Sequence, residues 1–193
     1  MKAKRLWWSL RTALTRGGIQ RANYARKKGI YAHVGKGVSI QSRVIPVYSE
    51  LISFGDNVAV ARNVDFCTHD VTHVILNRLS EKERKQFKFK ERVGCIKILD
   101  NVFVGSNSVI LYGTQIGPNV IIGTGSVVVR DCEPNSVYVG VPARKVGTFE
   151  DFIIKRISGE SESIIATTMH NQKLTEEEIK NAWEVFDKTH QHR

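Results

Sequence analysis

From Ile98 to Val128 an aliphatic residue returns at every sixth position, at Ile98, Val104, Ile110, Ile116, Ile122 and Val128. Glycine directly follows three of these, at Gly105, Gly117 and Gly123, and a small or β-branched residue recurs four positions on: Val102, Ser108, Thr114, Val120, Ser126 and Cys132. An α-helix repeats about every 3.6 residues and a strand every 2, so neither generates strict sixes. A solenoid does. Each hexad forms one short strand, its aliphatic enters a narrow core, and small residues let the backbone turn where strands crowd together. Three hexads then close one triangular coil, which predicts a mainly β, parallel β-helix.

The same pattern appears earlier but out of phase, at Val34-Gly35, Ile40, Phe54-Gly55, Val60-Ala61 and Phe66-Cys67. Two phase breaks separate these pieces, one over 44–53 and a longer, highly charged one over 70–94. Insertions in solenoids leave the coil as loops on one face, often the binding face, so the insert at 70–94 is a candidate substrate loop. A solvated helical hairpin is the plainer alternative.

The ends follow another period. Residues 11–29 have few strand formers and predict a helix ending at Gly29. Thr175 followed by Glu176, Glu177 and Glu178 has the form of a helix N-terminus, and Ile179, Ala182, Trp183 and Phe186 recur at helical spacing. The expected organisation is a basic helical segment over 1–30, a β-helix over 31–147 carrying the insert, and a helical extension over 148–193.

Composition narrows the class without changing that outline. The 193 residues are 41% hydrophobic, enough for one sizeable core. The apolar stretch Leu6-Trp7-Trp8-Ser9-Leu10 is too short and interrupted for a secretory core, so a cytoplasmic location is expected. Cys67, Cys95 and Cys132 form no CxxC pair, which argues against a disulfide framework and against structural zinc. The net charge of +10 suits an anionic ligand, an anionic surface or nucleic acid, but no nucleic-acid-binding motif accompanies it. Lys2, Lys4, Arg5 and Arg11 beside Leu6, Trp7 and Trp8 could hold the protein weakly at a membrane surface, at the inner membrane face.

Taken with the hexads, Thr68-His69-Asp70 and Gly140-Val-Pro-Ala-Arg144 make the chain resemble the hexapeptide-repeat acetyltransferases over about 29–152, most closely their galactoside, maltose and polysaccharide O-acetyltransferase branch. The resemblance implies a left-handed β-helix, a homotrimer, and acetyl-CoA as acyl donor to a saccharide acceptor, with no metal. It also implies His69 as the base, with Ser106 and Thr124 along the pantetheine and Arg130 and Arg144 near the nucleotide phosphates. Guanidinium forks suit phosphate oxygens. Val129 departs from relatives, which often carry threonine before the basic residue, and this weakens the expectation at Arg130.

The chemistry requires a base, because an alcohol is scarcely acidic near neutral pH, and histidine titrates in the right range. His73 is the alternative to His69. Asp65 or Asp70 could orient either ring by accepting from its second nitrogen. Cys67, two residues from His69, could act as a nucleophile, although it also fills the small-residue slot of its hexad. Tyr48 and Glu50 in the first insert are polar groups able to bind a sugar. The leading function is acetyl transfer to a hydroxyl of a cell-surface polysaccharide or its precursor. Transfer to the amine of an amino-sugar nucleotide or a xenobiotic, and a non-catalytic scaffold, are the competing functions.

Overall fold

A computed structural model describes residues 2–159 and 174–190. The chain divides into two compact units, Met1–Phe149 and Glu150–Arg193.

In the first unit, parallel strands line three faces of a β-helix. One face stacks His33–Val34, Ile52–Phe54, Ile96–Ile98 and Thr114–Ile116. The next stacks Ser39–Ile40, Val58–Val60, Val102–Val104, Val120–Ile122 and Ser136–Val139, and the third Asp65–Cys67, Val109–Leu111 and Val127–Val128. The register places hexad aliphatics over one another: Phe54, Ile98 and Ile116 pair in a column, as do Val60, Val104 and Ile122, and Phe66, Ile110 and Val128. Those from Ile98 onward are at most 1% exposed. Burying such a side chain fully stabilises by about 1.5–3 kcal/mol, so repetition along the column is what holds the solenoid. Phe54 sits edge-on to Tyr31 at 5.1 Å and to Phe66 at 5.6 Å, so aromatic rings fill the core of the first coils.

The corners use a device that the hexad pattern alone does not reveal. Asn57, Asn101, Asn119 and Asn135 adopt positive φ of 54° to 58°. Their side chains form a ladder, each amide donating to the next: Asn57 to Asn101 at 2.8 Å, Asn101 to Asn119 at 2.9 Å and Asn119 to Asn135 at 2.7 Å. Asparagine tolerates the left-handed region better than other non-glycine residues. The buried hydroxyls of Ser108, Thr114 and Ser126 bond to the carbonyls of Gly123, Leu111 and Gly123. Gly105 is bare for another reason: a Cβ there would lie 2.5 Å from the Thr124 nitrogen.

Two helices, not one, precede the coil. Helix α1 runs over Lys2–Leu14 and α2 over Gly18–Lys28, with the break at Gly17 (φ 81°). Gly29 ends α2 in the left-handed conformation, its N–H turned back to carbonyls of the last turn. Helix α2 closes the open edge of the first coil. Buried Arg21 donates from Nε to the Ile40 carbonyl at 2.8 Å, and its Nη atoms bond to Thr15 and Gln41 carbonyls at 2.7 and 3.2 Å. Arg26 donates to the carbonyls of Val34 and Gly35. Part of the basic character of the N-terminal segment is therefore spent on strand carbonyls that would otherwise lack partners. At the far end, Arg144–Thr148 pairs antiparallel with Ser136–Val139 and finishes the sheet.

In the second unit, a helix over Glu176–His190 starts with a capping box: Glu178 N–H donates to Thr175 Oγ1 at 3.1 Å, and Thr175 N–H to Glu178 Oε2 at 2.7 Å. Ile179, Trp183 and Phe186 along it are exposed.

Candidate active site

His69 lies where the chain leaves the coil. After the strand Asp65–Cys67, the fully buried Thr68 leads into His69–Asp70, which pairs antiparallel with Arg92–Val93, His69 opposite Val93. Gly94 N–H donates to the Thr68 carbonyl at 2.9 Å, so a two-stranded ribbon forms the neck of the long insert. A Cβ at Gly94 would stand 3.0 Å from the Tyr112 ring, so the ring would have to give by a few tenths of an ångström to admit one. Beyond the neck the insert holds one short helix, His73–Leu76, and turns.

Asp70 anchors this neck. It accepts from Thr72 N–H at 2.6 Å and from the Tyr112 hydroxyl at 3.4 Å. These bonds, the one from Thr72 first, hold its carboxyl below the usual carboxylate range. Asp65 is exposed on the outward side of its strand. Among the described residues neither Asp65 nor Asp70 hydrogen-bonds to His69, whose Nδ1 is buried without a partner. The same holds for Nδ1 of His73, the first residue of the short helix.

The first insert closes over the other side. Thr68 Oγ1 donates to the Val47 carbonyl at 2.5 Å, and the next residue, Tyr48, adopts a positive φ of 52°. Its ring meets the His69 imidazole edge-on, centroids 5.6 Å apart and planes at 85°. The Tyr48 hydroxyl donates to Glu91 Oε2 at 3.0 Å, and that bond raises the phenol's pKa. Glu50, exposed in the short 3-10 turn Ser49–Leu51, acts on Tyr48 only through its charge. Cys67 is half-buried, and burial first, then Asp65 and Asp70, pushes its thiol pKa up, which disfavours the thiolate a nucleophile needs.

The residues expected along a coenzyme lie around the same face. Half-buried Ser106 and exposed Thr124 occupy one corner on successive coils, with Arg62 on the coil before them, as the pairing of Asp65 with Val109 and of Val109 with Val127 fixes. Arg130 stands on the opposite corner, one coil beyond Tyr112 and on the same corner as Thr68 and His69. The Gly140–Ala143 turn, with Gly140 at φ 97° and a cis Val141–Pro142 bond, lies beside Val127 through Val127 N–H to Gly140 and Ala143 N–H to Val127. Exposed Arg144 follows it. Glu91, Tyr112 and Arg62 had no mark in the hexad pattern; Glu91 was hidden within a charge run.

The bacterial transferase hexapeptide family model, of six repeats, matches residues 95–130, the stretch where the sixfold period is strict. A galactoside O-acetyltransferase of Escherichia coli (strain K12) is 33% identical over 125 residues, 64% of this chain and 57% of that protein. Over this stretch the chain is similar to the bacterial transferase hexapeptide family. A second galactoside O-acetyltransferase, from Lactococcus lactis, is 31% identical over 126 residues, covering 64% of this chain and 56% of the relative. The matched stretch thus spans little more than half the length of these relatives. Among solved structures, a maltose O-acetyltransferase from Clostridium difficile 630 is 26% identical, with a TM-score of 0.54 over 76% of this chain and 84% of that one. A galactoside acetyltransferase in complex with coenzyme A shares the fold at 24% identity and TM-score 0.53, over 78% and 83% of the two chains.

Proposed function

We propose that this protein transfers an acetyl group from acetyl-CoA to a hydroxyl of a saccharide, a cell-surface polysaccharide or its precursor, with His69 as general base. One observation carries the reading: a half-buried histidine stands at the edge of a rigid coil, held between two inserts, in a chain similar to galactoside and maltose O-acetyltransferases. With Nδ1 buried, Nε2 is the nitrogen that takes the acceptor's hydroxyl proton. The alcohol oxygen then forms a bond to the thioester carbonyl carbon, the carbon–sulfur bond breaks, and the imidazolium returns its proton to the leaving sulfur, giving ester and free CoA thiol.

Ser106, Thr124 and Arg144 at one edge of the third face, Arg144 paired with Val139 over Gly123, and Arg130 at the other edge suit the pantetheine and phosphate groups of the donor. The coil is left-handed in this reading, and the chain assembles as a homotrimer. Half-exposed Val109, Leu111 and Val127 on one face and exposed Phe103 on the next support such packing. On α1, Leu6, Trp7, Leu10 and Leu14 are exposed opposite the side of Trp8 and buried Thr12, and Arg5 and Arg11 are exposed beside them, which supports weak attachment to an anionic membrane face.

Release of CoA thiol from acetyl-CoA with a panel of sugars, sugar nucleotides and amines tests the activity, with His69→Ala alongside. Release that depends on a hydroxyl acceptor and drops at least about a hundredfold in His69→Ala is the expected result. Release with amines alone would move the reading to N-acetyl transfer, and equal release by both proteins with every acceptor would remove His69 as base.

A further inference from the structure

A general-base imidazole commonly has its orientation set by a hydrogen bond on the nitrogen away from the substrate. Among the described residues His69 lacks that bond. Its Nδ1 is buried without a partner, and the nearest carboxylate in sequence, that of Asp70, is engaged by Thr72 and Tyr112. Something else must fix the ring, since a freely turning imidazole would present Nε2 to the acceptor only part of the time.

The contact available is aromatic. Tyr48 meets the imidazole at 85° with centroids 5.6 Å apart, a geometry that aromatic pairs favour. Tyr48 is itself constrained at both ends. Behind it, Val47 is tied to Thr68, the residue before His69; at its tip, the hydroxyl is tied to Glu91, two residues from Val93, the cross-strand partner of His69. Its backbone sits at a positive φ of 52°, a conformation that is strained for a non-glycine residue and persists only where its surroundings enforce it. The two phase breaks in the repeat therefore meet at this histidine, one supplying Tyr48 and the other Glu91.

We propose that Tyr48 and Glu91 are positioning residues that hold the His69 ring with Nε2 toward the acceptor, a role usually given to a carboxylate on Nδ1. The proposal rests on His69 being the base. It also reassigns Tyr48, whose hydroxyl is committed to Glu91, from sugar binding to support of the imidazole.

The test uses the full chain with Tyr48→Phe, Tyr48→Leu, Glu91→Ala and the double variant Tyr48→Phe/Glu91→Ala. Two readouts are taken: the NMR titration of the His69 imidazole, assigned with His69→Ala, and kcat and KM for acetyl-CoA and the acceptor. Tyr48→Leu is expected to alter the NMR titration of His69 and to lower kcat at least tenfold, leaving KM for acetyl-CoA within twofold. Tyr48→Phe keeps the ring and loses only the tie, so it should recover most of that loss. Tyr48→Phe, Glu91→Ala and the double variant should agree within twofold, because all three break one bond. An unchanged titration and kcat in a folded Tyr48→Leu would overturn the proposal, as would Tyr48→Phe behaving like Tyr48→Leu. If the wild type proves inactive, the transferase reading fails by itself, and the titration still decides whether Tyr48 governs the imidazole.

Discussion

Thr68 Oγ1 donates to the carbonyl of Val47 at 2.5 Å, fastening the first insert to the residue that precedes His69. Thr68 is fully buried, so the bond is shielded from water, and removing the donor would leave a carbonyl unsatisfied. Thr68→Val keeps the shape and deletes the hydroxyl. It should cost about 1–2 kcal/mol in urea unfolding, and Thr68→Ser should restore most of it. Full stability in Thr68→Val would mean that the insert is held elsewhere.

The asparagine ladder makes a sharper contrast possible. Asn101 both receives from Asn57 and donates to Asn119 while sitting at φ 58°. Asn101→Ala loses both bonds and also pays the left-handed penalty, about 2 kcal/mol or more in all. Asn101→Gly loses the bonds but is free at positive φ, so it should be the milder variant by about 1 kcal/mol. Thermal unfolding of the pair decides; glycine no better than alanine would show that the corner imposes no backbone strain.

The coil is legible in the sequence because its core is one-dimensional: each of Ile98, Val104, Ile110, Ile116, Ile122 and Val128 fills an equivalent slot, so the period survives as text. The ladder had a signal too, with Asn57, Asn101, Asn119 and Asn135 each three positions after Phe54, Ile98, Ile116 and Cys132, but corner chemistry is weaker than core periodicity. His69 stands out as a histidine at a phase break. Its surroundings do not, because Tyr48 reaches it from another insert, and Glu91 and Tyr112 join only through bonds to Tyr48 and Asp70 that span 43 and 42 residues. The helix expected over 11–29 is divided between the end of α1 at Leu14 and α2 from Gly18, since Gly17 takes a positive φ that separates them.

Arg21 illustrates how a basic residue that looks like surface charge can be structural. Only 5% exposed, it serves three carbonyls at once, two of them on the first coil's edge. Arg21→Met fills similar space but strands those acceptors, and a loss of about 3 kcal/mol or more is expected, as each hydrogen bond to a charged group contributes about 1.5–3 kcal/mol. Arg26→Met, at an exposed position serving two carbonyls, should cost less. Urea midpoints in the reverse order would show that α2 is held by its apolar contacts alone.

Cys132 gives the fold a dependence on alkaline pH. Only 4% exposed and bridged to Ile116, its thiol is pushed up to about 12 from 9.0, chiefly by burial and secondarily by Asp131. Above pH 9 the unfolded chain loses this proton while the folded chain keeps it, so the folded state binds more protons and stability falls as pH rises, until the folded thiol itself ionises. The slope approaches about 1.4 kcal/mol per pH unit for one proton. Tyr31, whose phenol burial also raises, and Cys67 act in the same direction, so the informative quantity is the stability of wild type minus that of Cys132→Ala, measured by urea unfolding from pH 8 to 11. That difference should be constant below pH 9 and shrink above it. A difference that stays flat to pH 11 would mean that water reaches the thiol and that the last coils open locally well before the domain unfolds.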